Sequence, residues 1–292
     1  MFKDISIIFL SIFLESLPFL LLGSLISSII ETFVSNETLA RIIPKNKVLG
    51  SIVGICLGFF LPACDCAVIP VAKRLIKKKV PINVAVSFML ASPIINPVVI
   101  LSTYHAFYKT NPDIFFERLL FGILIALIIG IILGILYSKK EVVLNSEDKI
   151  NCECHDCEDT NRFLSIIKHT GIDLFEVSKY LMFGALIASI IQVVLPRYIL
   201  IMFNDNKILS VLALMLFAYL ISLCSTSDSF VGKSLLSSFS KSSIIAYLLL
   251  GPMIDIKNTI VLLGNYKKIF VITLILLIFT TIFIFSIVGV KI

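Results

Sequence analysis

The sequence has no tryptophan, three histidines and little charge, with Asp, Glu, Lys and Arg making up 15% of its 292 residues. So few charges, set against 58% hydrophobic residues and a mean hydropathy of +1.04, exclude a soluble domain built around one core. The chain also lacks a Walker loop, a nucleotide-binding half and a hydrolytic-triad pattern, so uphill work would draw on an ion gradient or another subunit. A cleavable signal is not evident. The first apolar run, from about Ile5 to Thr32, is too long for a signal core, has no small-residue cleavage site, and reads as a retained span. The seven cysteines are odd in number and not spaced as a secreted disulfide framework, which points to thiol or metal chemistry. The net charge of +6 lies mostly in short connections, where it reports membrane orientation, and no nucleic-acid partner is expected.

What is present is apolar sequence in long runs. At about 20 residues per span, hydropathy gives about eight helices, near 5–32, 48–63, 82–105, 117–137, 172–195, 208–224, 243–263 and 268–289. The expected fold is an all-α polytopic membrane protein lying in the bilayer of the inner or plasma membrane. The densest basic connection, AKRLIKKK at 72–79, is placed in the cytoplasm. Counting spans from there puts both termini and the 138–168 connection in the cytoplasm as well.

The two parts of the chain resemble each other. ESLPFLLLGSLISSII (15–30) against EVSKYLMFGALIASII (176–191) gives eight identities in sixteen positions and pairs Glu15 with Glu176 and Gly23 with Gly184. A shift of 160 pairs Cys64 with Cys224 and Lys73 with Lys233; a shift of 159 pairs Pro93 with Pro252 and Asn96 with Asp255. This collinear order divides the chain into a first transmembrane repeat (1–137), a loop (138–168) and a second repeat (169–292). Four spans per repeat would make the halves parallel. Re-entrant Pro- and Cys-containing segments would change the parity and allow inverted halves, and the sequence leaves both open.

Polar islands interrupt the apolar runs. LPACDCAVIP (61–70) sets Cys64, Asp65 and Cys66 between Pro62 and Pro70. In a continuous helix the two thiols would point roughly 200° apart, so facing one cavity requires unwound backbone, which proline favours. Thiolates are soft ligands suited to Cu(I), Zn(II) or trivalent arsenic, and Cys224 stands ready as a third sulfur from the other repeat. The plain alternative is cysteine as a small packing residue, and for the isolated Cys56 that reading is preferred. Glu15, Asp65, Glu176, Asp228 and Asp255 are acids in or beside apolar spans, where an unpaired charge costs several kcal/mol, so each is a candidate for translocation. The matched bases Lys73 and Lys233 offer structural ion pairs with Asp65 or Asp228. Asn96, between Pro93 and Pro97, and Asp255, after Pro252, mark broken helices. In the loop, CECHDCED brings Cys152, Cys154, His155 and Cys157 together as candidate metal ligands.

These residues carry a family resemblance. The run PACDCAVIPVAKRLIKKKVPINVAVSFMLASPIINPVVILSTYHAF (62–107), with CSTSDSFV (224–231), GPMIDIKN (251–258) and ESLPFLLLG (15–23), resembles the permease family that includes the ArsP organoarsenical exporters and YraQ-like permeases. The resemblance implies an eight-span inner-membrane permease, with members that expel trivalent organoarsenicals and a branch assigned to copper and zinc. Its motif falls on Pro62, Cys64, Cys66, Pro70, Pro93, Asn96 and Pro97, and on Cys224, Ser225, Asp228, Pro252, Asp255 and Asn258. Asp65 stands where many relatives have a small residue, which shifts weight toward a metal cation. The leading expectation is efflux of a soft, thiophilic solute by alternating access, with no resident cofactor, no catalysis and a companion membrane subunit as partner. A membrane thiol oxidoreductase using Cys64 and Cys66, and a non-transporting scaffold, are the competing readings.

Overall fold

A computed structural model of the protein describes residues 2–33, 44, 46–60, 65–138, 142–144, 162–194 and 206–289. Among these the fold is helical, with one isolated bridge, Val143 to Tyr266, and no strand. The first run of helices is α1 (Phe2–Phe33), α2 (Lys47–Phe60), α3 (Asp65–Lys77), α4 (Ile82–Ile95), α5 (Pro97–Phe107) and α6 (Pro112–Leu136). A second run follows in the same order: α7 (Arg162–Val194), α8 (Lys207–Ile221), α9 (Ser225–Leu235), α10 (Lys241–Met253), α11 (Ile256–Asn265) and α12 (Lys268–Ile284), ending in a π-turn (Phe285–Gly289).

Helix length decides which elements cross a bilayer. Among the described residues, five helical stretches are long and apolar enough, in α1, α6, α7, α10 with α11, and α12 continued by its π-turn. The pair α4 and α5, bent by 41° at Asn96, makes a sixth. Helices α2 and α8 have 14 and 15 residues. At 1.5 Å per residue they reach about 21–23 Å, short of a core of about 30 Å.

Contacts show that α2 begins and α3 ends at the same end of the bundle. The Asn83 side chain at the start of α4 donates to the Lys47 carbonyl at 2.8 Å, and Val80 N donates to Leu75 O at 3.1 Å, so α2 begins and α3 ends beside the start of α4. Gly50, Gly54 and Gly58 make a stripe along α2 that lets its backbone approach α4. A Cβ at Gly58 would stand 3.0 Å from Ser92 N, which is the close approach small residues provide between membrane helices. In the second run Ser210 meets Ser243 at 2.9 Å, placing the start of α8 beside the start of α10. Asp228 stands over Gly251 and Gly232 over Leu248, so α9 runs back antiparallel to α10.

Matched helices point in opposite directions. Thr170, early in α7, donates to Ser28, late in α1, at 3.0 Å. Tyr137, at the end of α6, meets Thr273, early in α12, at 3.1 Å. Lys241 at the start of α10 reaches Glu117 near the start of α6 at 2.7 Å, whereas the start of α4, at Asn83, lies against Gly134 near the end of α6. Among the described residues the matched helices of the two runs are therefore antiparallel, the relation of an inverted repeat. Among the described residues, the expected spans 48–63 and 208–224 correspond to the shorter apolar helices α2 and α8, and α3 and α9 run back antiparallel to them.

This bears on the placement of the termini. One end of the bundle, here the basic end, holds residues 73–81, the close of α6 and the α11–α12 turn. There Leu144 N donates to Asn265 O at 3.0 Å and Lys267 N to Val142 O at 2.9 Å. The start of α1 and Gly289, which lies against Phe121, are at the opposite, terminal end. The start of α1 and Gly289 thus lie at the end of the bundle away from residues 73–81. At the centre stand α4 and α10, buried at 13 of 14 and 12 of 13 residues.

Candidate functional site

Four half-helices, α3, α5, α9 and α11, begin in the middle of the bundle. Local chemistry makes two of these starts. Asn96 Oδ1 accepts from Val98 N at 3.0 Å, and Asp255 Oδ1 accepts from Asn258 N at 2.6 Å, so the matched residues Asn96 and Asp255 are both N-caps. Pro97 is the first residue of α5, where its missing N–H leaves nothing unsatisfied. Pro93 and Pro252 lie in the last turns of α4 and α10, just before each break. Pro70 differs from expectation: it lies within α3, whose helix continues past it, and its effect is to leave the Cys66 carbonyl without its usual intrahelical donor.

The half-helices associate across the repeats. α3 lies beside α11, with Cys66 Sγ donating to Asn258 Oδ1 at 3.8 Å and Tyr266 Oη to the Ile69 carbonyl at 3.4 Å. α5 lies beside α9, with the Thr103 and Ser229 hydroxyls 3.0 Å apart. Arg118 of α6 clamps this second pair. Its guanidinium donates to Thr103 Oγ1 and Ser229 Oγ at 2.7 Å each and to the Ser225 carbonyl at 3.3 Å. Asp228 lies within the field of Arg118 and accepts from Tyr247 Oη at 3.0 Å.

Between α1, α7 and the half-helix starts is a cavity of about 250 Å³. Its wall carries Glu15, Ser16 and Phe19 from α1, Asp65 and Cys66 from α3, and Gln192 from α7. The break before α9 adds Ser222, Cys224 and Ser227, and α11 adds Lys257. It extends past Ile7 and Ile8 toward the terminal end. Asp65 is 6% exposed, with its Oδ1 lacking a hydrogen-bond partner; the Ser225 hydroxyl faces the same carboxyl group, and Lys257 and Asp255 are close by. Lys257 Nζ is 3.5 Å from Asp255 Oδ2, a buried pair at the edge of the wall.

The expected site residues therefore separate into groups. Asp65, Cys66, Cys224 and Glu15 meet at the cavity; Ser225, Asp255 and Asn258 stand directly behind it; Asp228 belongs to the Arg118 and Tyr247 cluster; Asn96 caps α5. Glu176 is elsewhere, at the basic end, paired with Lys73 at 3.3 Å. Lys73 thus pairs with neither Asp65 nor Asp228, because α3 carries it toward α7 and α11. Pro62, Cys64, Cys152, Cys154, His155 and Cys157 lie outside the described residues. Among the described residues no group of three or more His, Cys, Asp or Glu side chains is placed to hold a metal ion. Arg118, Lys257 and Tyr247 were not anticipated. An arginine inside the apolar run 114–136, and a lysine two residues after Asp255, were signals in the sequence that went unassigned.

Two antiparallel runs of helices, each broken within the bundle, with a cavity at the helix breaks, suit a membrane permease, and comparison with known proteins agrees. A family model described as "Predicted permease" (ArsP_1) matches residues 1–290, and the chain belongs to this family. It is 39% identical over 274 residues to the UPF0718 protein YcgR of Bacillus subtilis strain 168, covering 94% of this chain and 92% of that one. It is 36% identical over 267 residues to a Streptococcus mutans serotype c protein whose name describes a subunit of a two-component membrane permease complex, covering 90% and 87% of the two chains. No solved structure matches the chain.

Proposed function

We propose that the protein exports a soft, thiophilic solute across the cytoplasmic membrane by alternating access between two repeats, 1–137 and 169–292. One observation carries this reading: Cys66 and Cys224, from opposite repeats, line one cavity together with the unpartnered Asp65 oxygen. Two sulfurs in one cavity suit a soft acceptor, and the apolar surface of Ile7, Ile8, Ile12 and Phe19 suits an apolar substituent on it. A trivalent organoarsenical has both parts, and it is the favoured solute; a bare Cu(I) or Zn(II) ion uses only the sulfurs. Cys64 is assigned as a third sulfur, and Cys152, Cys154, His155 and Cys157 as a loop that gathers the solute before transfer.

The positive-inside rule places the basic end in the cytoplasm. The termini and the mouth of the cavity then face outward. Membership of a permease family favours transport over catalysis, and the name of the Streptococcus relative supports a companion membrane subunit.

The test is a bacterial host stripped of metal and arsenical exporters, expressing the chain and challenged with methylarsenite, arsenite, copper and zinc. Resistance to methylarsenite that disappears with Cys66→Ser or Cys224→Ser is the expected result. Resistance to copper or zinc instead moves the solute to the metal cations, and resistance untouched by either serine removes the thiol site.

A further inference from the structure

An inverted repeat implies contacts in symmetry-related pairs, yet one set here has no counterpart. α1 rests on α3, with Gly23 so near Ala67 that an added Cβ would stand 2.7 Å from the alanine Cβ. α7 rests on α11, where a Cβ at Gly184 would stand 3.0 Å from Lys257 Cα. The symmetry mates of these contacts are α7 on α9 and α1 on α5, and among the described residues neither pair packs to a comparable extent. Burial follows the same division. α3 is buried at ten of thirteen residues and α9 at four of eleven; α11 is buried at six of ten and α5 at four of eleven. The joined helices α1 and α7 therefore cover one half-helix pair and leave the other without that cover.

The charges divide in the same way. At the basic end Lys73 of α3 reaches Glu176 of α7 at 3.3 Å and Asn265 of α11 at 2.9 Å, tying three elements together and closing that end. Repeat alignment pairs Lys73 with Lys233 and Glu176 with Glu15. Lys233 is exposed on α9, Glu15 stands on the open cavity wall, and among the described residues neither has an ion-pair partner.

We infer that Glu15 and Lys233 are the second gate of the pathway. They pair and close the terminal end when α1 leaves α3 for α5 and α7 leaves α11 for α9, while Lys73 and Glu176 separate. This rests on the alternating-access reading above and adds to it the two residues that seal the state not seen here. The two ion pairs are the same contact made in opposite halves, so forming one requires breaking the other.

The experiment uses the full chain in bacterial membranes. Glu15→Cys combined with Lys233→Cys, treated with a short bifunctional thiosulfonate, is expected to yield a peptide cross-linked between positions 15 and 233 by mass spectrometry. Lys73→Cys with Glu176→Cys reports the conformer described here and validates the chemistry. A second measurement labels native Cys224 with a membrane-impermeant maleimide from the terminal side. Lys73→Met is expected to slow that labelling by about tenfold, equivalent to about 1.4 kcal/mol of lost bias. Adding Lys233→Met is expected to restore it to within about twofold, because both gates are then neutralised. A lysine with a merely structural role would not be rescued by removing a second lysine at the far end. Absence of the 15–233 peptide where the 73–176 peptide forms, or a double variant that labels as slowly as Lys73→Met, would overturn the proposal. Neither readout requires solute, so a resistance phenotype indifferent to Cys66 and Cys224 sinks the solute assignment and leaves the gates standing.

Discussion

The α3–α11 pair and the α9–α5 pair are products of one repeated design, yet they are built of different material. α3 reads DCAVIPVAKRLIK and is apolar along the stretch from Ala67 to Ala72; α9 reads STSDSFVGKSL, with hydroxyls at Ser225, Thr226, Ser227, Ser229 and Ser234. The first presents a surface that gains by being covered with helix, at about 25 cal/mol per Å² of apolar area removed from water. The second, rich in hydroxyl groups, has less apolar surface to gain from such cover. Composition thus biases a nearly symmetrical scaffold toward one of its two arrangements, and the position of α1 and α7 follows from that bias. The polar pair in turn needs an internal anchor, which Arg118 supplies, whereas the apolar pair is fastened by Lys73 at its rim.

The sharpest way to break this comparison is to remove the two cations separately. Arg118 is 2% exposed and holds Thr103, Ser229 and the Ser225 carbonyl, with Asp228 nearby. Arg118→Met is expected to destabilise the protein by about 3–5 kcal/mol, because it leaves a buried carboxylate uncompensated. Arg118→Met with Asp228→Asn should recover much of that loss in detergent-solubilised thermal unfolding. Lys73→Met should cost far less stability, since Glu176 is one-third exposed at its side chain. Equal losses for the two lysine and arginine variants would erase the distinction between anchor and rim. Next in size is overpacking at the covering helices. Gly23→Val and Gly184→Val should each cost about 1–3 kcal/mol, because Ala67 and the Lys257 backbone leave no space for the added atoms. The same valine at Gly171, which has nothing within 4 Å, should be nearly neutral.

Features written locally in the sequence were readable without coordinates. Pro93, Asn96 and Pro97 announce a helix break because proline geometry and side-chain capping act within a few residues, and Pro252 with Asp255 repeats the signal. The repeat offset set Cys224 at the break corresponding to Cys64, and the structure places Cys224 and Cys66 on one cavity wall. What depends on distant partners was not readable. Arg118 has its acceptors at 103, 225 and 229, and no single-sequence pattern links those positions. The setting of the short apolar helices is equally non-local. Hydropathy registers that 48–63 is apolar, whereas its return to the same end is decided by contacts such as Asn83 with Lys47. The Gly50, Gly54 and Gly58 spacing was a local clue to that close packing on α4.

The smallest expected difference lies between the two matched caps. Asn96 and Asp255 make the same hydrogen bond at the start of their half-helices, to Val98 N and Asn258 N. Only Asp255 also carries a charge opposite Lys257, at 3.5 Å. Asn96→Ala removes a cap and should cost about 1 kcal/mol, with faster hydrogen exchange at the Val98 amide as its local sign. Asn96→Ser keeps an acceptor and should restore most of the loss. Asp255→Ala removes the same type of cap and strips the carboxylate from a lysine that is 5% exposed, so it should cost clearly more than Asn96→Ala, and Asp255→Ser should not rescue it. If the two alanine variants unfold together, Asp255 is a cap and nothing else. The buried Lys257 charge would then be balanced by the neighbouring Asp65, placing that carboxylate in the protein's own ion pairing and withdrawing it from the cavity.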